Sequence, residues 1–92
     1  MMRRIDLPLT ELLAGLAEEC SELAQAALKY RRAINGRNPT PVPVLAALDK
    51  MIEEVADVEL YLDQLQMDEV RENIENIKAR KLDRWIRRLN ER

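Results

Sequence analysis

The sequence predicts an all-α fold, and three observations carry that reading. Phe is absent and aromatic residues make up only 3% of the chain, so the side chains that suit a pleated sheet are scarce. Gly occurs twice and Pro four times, while Leu, Ala, Glu, Arg and Lys dominate, a balance that favours helices. Apolar residues recur at intervals of three and four along most of the 92 positions, the period of a helix with one buried face. A hydrophobic content of 47% suffices for the core of one domain spanning residues 1–92.

The first helix is expected over about residues 8–34. Asp6 or Thr10 can cap it, and Pro8 is tolerated in a first turn. Its stripe is Leu9, Leu13, Leu16, Cys20, Leu23, Ala27, Tyr30 and Ile34. Asn35-Gly36 ends it, and Pro39, Pro41 and Pro43 keep the following connection extended, because none of them can continue a helix. The second helix is expected over about residues 43–66, with Leu45, Leu48, Ile52, Val55, Val58 or Glu59, and Leu62 as its seam. Asp68 reads as the N-cap of a third, whose inner side holds Val70, Ile74, Ile77, Leu82, Trp85 and Leu89. Three slim helices form a slab that cannot cover both of its faces, and large apolar side chains such as Leu12, Leu28 and Leu60 fall beyond the seams. The expected architecture is therefore a three-helix bundle completed by self-association, as a homodimer or homotetramer.

Composition removes whole classes of chemistry. With no His, imidazole ligands, His general bases and Ser-His-Asp triads are excluded, and the single Cys20 excludes an internal disulfide or a Cys-cluster zinc site. No apolar run approaches a membrane span of about 20 residues, and the opening MMRRIDLP lacks the apolar stretch of a secretion signal. A cytoplasmic protein with no membrane partner is expected. Seventeen acids against fifteen bases give a net charge of −2, which does not suggest a nucleic-acid partner.

The informative feature is where the acids fall. Glu19 and Glu22 are three apart on the first helix, hence on one face, at the edge of the apolar stripe. Gly15 and Ala26 project in nearly the same direction and leave space beside them. Glu54 and Asp57 repeat the device on the second helix, with Tyr61 one turn beyond. Neither Glu22 nor Glu54 has a Lys or Arg three or four positions later. If the helices pack antiparallel, four carboxylates converge. Their repulsion calls for cations, and hard divalent ions such as Mg²⁺ favour carboxylate oxygen. On the third helix Lys78 and Lys81 lie on or beside the face of Ile74 and Ile77, placed to meet an anion.

The pattern Glu18-Glu19-x-x-Glu22, then Glu54-x-x-Asp57, embedded in LAEECSELAQAALKYRRA and IEEVADVELYLDQL, resembles the signature of the MazG-like all-α nucleotide pyrophosphohydrolases. The resemblance covers roughly residues 10 to 90, includes the basic segment IKARKLDRW, and is nearest to short single-domain members of phage and bacterial genomes. It implies that Glu19, Glu22, Glu54 and Asp57 hold Mg²⁺, or Mn²⁺ in its place, and that they carry the catalysis. It implies also that Tyr61, Lys78 and Lys81 border the nucleotide and its phosphates. The implied reaction is hydrolysis of a nucleoside triphosphate between the α and β phosphorus atoms, giving monophosphate and pyrophosphate. Such a reaction needs mainly positioning and charge neutralisation, and a metal-activated water needs no protein His.

Three other readings are weighed. Phosphoribosyl-ATP pyrophosphatases share the acidic motif but usually carry a His just after its second half, which this chain lacks. A helical chorismate mutase would need Arg around a dicarboxylate pocket, and the first helix has none before Arg31. A non-catalytic helical interaction module would make both acidic motifs surface decoration.

Overall fold

The computed structural model describes residues 3–36 and 43–91. An extended segment leads into α1 (Leu9–Asn35), followed by α2 (Val44–Gln64), a 3₁₀ turn over Met67–Val70, and α3 (Arg71–Asn90), with no strand among the described residues. The proline-rich connection expected between the first two helices lies, over residues 37–42, outside the described residues. Pro8 and Pro43 stand at the N-caps of α1 and α2, and neither cap makes a side-chain hydrogen bond. Gly36 closes α1 in the left-handed conformation, φ 68°, where a Cβ would be strained. Asp68, the expected cap of the third helix, lies inside the 3₁₀ turn instead, and Val70 is the α3 cap. The turn begins at Gln66, a non-glycine residue at φ 56°, which redirects the chain before α3 starts.

α1 and α2 pack together and run antiparallel, because Gly15 meets Tyr61 while Glu19 meets Asp57 and Glu54. The same register carries Ala26 to the level of Ala47, and both are buried. Only small residues stand at these points, so the backbones come close. At Gly15 the Tyr61 ring lies against the helix, and a methyl group there would overlap ring carbons and the hydroxyl. The space that Gly15 offered is therefore filled by this chain itself. Gln64, buried at the end of α2, ties down the leading segment: its Oε1 accepts from the Ile5 amide at 2.8 Å and its Nε2 donates to the Arg3 carbonyl at 2.7 Å. Both halves of the amide are satisfied, as a buried polar group requires.

Part of each expected seam is covered: Leu16, Leu23, Ala27 and Tyr30 of α1, and Leu48, Val55 and Val58 of α2, are half-buried. Leu9, Leu13 and Ile34 of α1, and Leu45, Ile52 and Leu62 of α2, are exposed. At about 100° per residue Leu9, Leu13 and Ile34 sit roughly a quarter to a third of a turn from the line of Leu12, Gly15, Glu19 and Ala26. Leu62 sits about a quarter of a turn from that of Ala47, Glu54 and Tyr61, while Leu45 and Ile52 lie nearly half a turn away. The periodicity locates a sticky face on each helix; it does not say that the two faces meet.

α3 departs further from expectation. It packs only against the 3₁₀ turn and shares no packed interface with α1 or α2. Ile74 and Ile77 are half-buried, and Leu82, Trp85 and Leu89, expected on an inner side, are exposed. A compact chain of this length has a radius of gyration of about 12 Å, whereas this one reaches 16.8 Å. It exposes 7902 Å², where a compact monomer of 10.7 kDa exposes about 5,500 Å². Buried apolar residues are few among the described residues, namely Leu12, Ala26 and Ala47.

The Gly15–Tyr61 contact gives a test of sign. In an open helix Gly→Ala stabilises by about 0.5–1 kcal/mol, whereas overpacking costs about 1–3 kcal/mol. Gly15→Ala should therefore lower the thermal midpoint of the natural chain and raise it in a Tyr61→Ala background. A rise in both backgrounds would show that the ring does not need the glycine.

Candidate metal centre

Packing α1 against α2 through small residues places acids in the seam. Glu19 comes from the middle of α1, and Glu54 and Asp57 come from successive turns of α2. One carboxylate oxygen from each of the three lies within 4.8 Å of the others. Glu54 is buried, at 5% exposure, and the other two are half-buried. Glu22, the fourth acid of the expected set, is exposed and stands outside this group. Its direction from α1 is about 60° from that of Glu19. It still adds its charge to the field at Glu19.

A buried carboxylate is costly without a counter-charge, and the chain supplies one. Lys50 Nζ lies 3.0 Å from Glu54 Oε1, one turn earlier on the same helix, and 3.6 Å from Glu53 Oε1. The Glu54 hydrogen bond, with the charge of Glu53 and then of Glu54, holds the Lys50 ammonium above its ordinary range. Sequence reasoning overlooked this lysine because it precedes Glu54; a search four residues backward finds it. Three carboxylates and one ammonium leave the cluster two charges short of balance. Glu19 registers that deficit. Desolvation, then Asp57, Glu54, Glu18 and Glu22, push its carboxyl above the ordinary value of 4.5.

The donor set fits a hard divalent cation. Its oxygens are hard ligands, they come from two helices, and their unbalanced charge matches that of such an ion. Oxygens bound at about 2.1 Å to one ion stand at most about 4.2 Å apart, so the 4.8 Å spread needs only small side-chain shifts.

The remaining expected residues sit elsewhere. Tyr61 is one turn from Asp57, but its ring packs on Gly15 and helps to wall a cavity of about 80 Å³ with Ile5, Leu7, Leu12, Leu60 and Gln64. That volume holds two or three waters, not a nucleobase. Lys78 and Lys81 are exposed on α3, where Lys78 pairs with Glu75 at 3.4 Å, and the single chain does not bring them to the carboxylates. Glu59 is exposed on the outward stripe of α2, not at the cluster.

A raised carboxyl fixes the sign of a pH effect. The folded chain holds the Glu19 proton more tightly than the unfolded chain does. That contribution to stability is fully present below 4.5 and is lost as pH rises through the raised value. Without divalent ions, Glu19→Gln should therefore melt higher than the natural chain near neutral pH and show a flatter decline with rising pH; a lower-melting variant would make Glu19 an ordinary ion-pair partner. Comparison with protein families, with curated proteins and with solved structures found no match.

Proposed function

We propose that the chain is a Mg²⁺-dependent nucleoside triphosphate pyrophosphohydrolase of the MazG-like kind, working as a homodimer or homotetramer in the cytoplasm. The observation that carries this reading is the meeting of Glu19 with Glu54 and Asp57 across two helices, on the motif spacing from which the resemblance was drawn. The magnesium ion, when bound, would neutralise phosphate charge and activate water for attack at the α phosphorus. Glu19, Glu54 and Asp57 would hold it, with Mn²⁺ an acceptable substitute. Glu22, exposed beside Glu19, would join these ligands after a rotamer change. Glu54, buried and anchored by Lys50, keeps its oxygen where the ion needs it.

The excess of exposed surface supports the oligomeric part of the reading. The exposed apolar side chains of α1, α2 and α3 are surface that a second copy can cover. The phosphate-binding role of Lys78 and Lys81 depends on that assembly, since α3 does not reach the carboxylates within one chain.

One observation favours the rival helical interaction module: the 3.0 Å Lys50–Glu54 pair gives Glu54 a partner without any metal. A single assay separates the two readings. With Mg²⁺ and a panel of ribo- and deoxynucleoside triphosphates, the enzyme reading expects release of pyrophosphate, not orthophosphate, from at least one of them. Glu54→Gln and Asp57→Asn should each lower kcat by at least about a hundredfold with helix content unchanged. No pyrophosphate from any member of the panel, or full turnover in either variant, would remove the enzyme assignment.

A further inference from the structure

α2 and α3 carry opposite charge on similar surfaces. α2 holds six acids and one base, and α3 holds seven bases and three acids. On α2 the outward apolar stripe of Leu45, Ile52 and Leu62 is shared by Glu59 and Asp63. Neither acid has an ion-pair partner among the described residues. On α3 the exposed apolar arc of Leu82, Trp85 and Leu89 is bordered on one flank by Lys81, Arg84 and Arg88. These three bases are likewise unpaired among the described residues. Each helix thus lacks what the other displays: an apolar strip and a row of the opposite charge.

The two cannot meet in the geometry of one chain. The turn that starts at Gln66 sends α3 off the α1–α2 pair, leaving it packed on the 3₁₀ turn alone. The surface in excess of a compact monomer's is about 2,400 Å², well above the roughly 800 Å² per partner of a standard stable interface.

We propose that α3 docks along α2 of a second copy of this chain. Trp85 and Leu89 then cover the Leu62 end of the partner's stripe, and Arg84 and Arg88 pair with the partner's Glu59 and Asp63. The contact is reciprocal, since each copy offers both surfaces. The inference rests on the self-association proposed above and not on the metal chemistry, so its test contains neither metal nor nucleotide.

The test is a charge exchange read by sedimentation velocity in EDTA, with circular dichroism reporting helix content. One variant carries Glu59→Lys and Asp63→Lys, the other Arg84→Glu and Arg88→Glu. In either variant alone, both reciprocal contacts set like charge against like, and self-association should weaken at least tenfold. In an equal mixture every contact pairs opposite charges again, and the wild-type mass should return. If a double exchange loses helix content, Asp63→Lys and Arg84→Glu, one charge each, carry the same comparison. The proposal is overturned if either folded variant assembles like the natural chain, or if the mixture stays dissociated. A wild-type chain sedimenting at 10.7 kDa would overturn it together with the oligomeric reading. A monomer that uses Arg84 and Arg88 to hold duplex DNA or anionic vesicles would assign the face to another partner. Loss of pyrophosphatase activity with assembly intact would leave this inference standing and remove only the catalytic one.

Discussion

Where α1 passes α2, Gly15, Ala26 and Ala47 stand at the contact beside Leu12, while Leu9, Leu13, Leu45 and Ile52 stay exposed. Close backbones leave little room in the seam, and what occupies it is Leu12, the Tyr61 ring and three carboxylates. Burying Glu54 there has a cost, which Lys50 offsets for one charge. The rest of the negative charge is what a divalent ion could neutralise. A wider seam lined with leucine would be more stable and would hold no site. The acids are tolerable because Glu19 and Asp57 keep one side toward solvent, so their repulsion is partly screened in the metal-free chain.

The same choice leaves part of each apolar stripe outside. Leu13, Leu45, Ile52 and Leu62 are exposed, and α3 adds Leu82, Trp85 and Leu89. Hydrophobic surface on this scale is characteristic of chains that finish their core by association. The large radius of gyration says the same thing in another quantity. The seam inside one chain thus holds the charge, while much of the large apolar surface stays exposed.

Much of this was legible in the sequence. The three helices follow from periodicity, and the ends of α1 fall within a residue of expectation because Pro8 and Gly36 mark them. The convergence of Glu19, Glu54 and Asp57 follows from i,i+3 spacing on two antiparallel helices. Glu22 stays outside the cluster although it lies within about 40° of Gly15 and Ala26 on the helix, so periodicity alone does not set it apart. Lys50 lay on the side of Glu54 that a forward pairing rule ignores. The seams were half right: Leu16, Leu23, Leu48 and Val55 are half-buried, while Leu9, Leu13, Leu45 and Ile52 of the same stripes stay exposed because the contact is centred nearer Gly15 and Ala26. The path of α3 depends on one backbone angle, at Gln66, and no side-chain pattern announces a left-handed glutamine. With that path went the expectation that Lys78 and Lys81 face the acids.

The central claim is that the cluster of Glu19, Glu54 and Asp57 binds a divalent ion, and thermal unfolding tests it without knowledge of any substrate. Melting curves are compared in MgCl₂ and in NaCl of equal ionic strength, the second to remove simple screening. Binding only to the folded state stabilises it by about 2.7 kcal/mol at a hundredfold excess over Kd, a rise of the order of 10 °C for a domain this small. The account predicts that rise in MgCl₂ beyond any in NaCl, and its disappearance in Asp57→Asn. Equal curves in the two salts would contradict it and leave the three carboxylates an ion-paired seam with Lys50 as their cation.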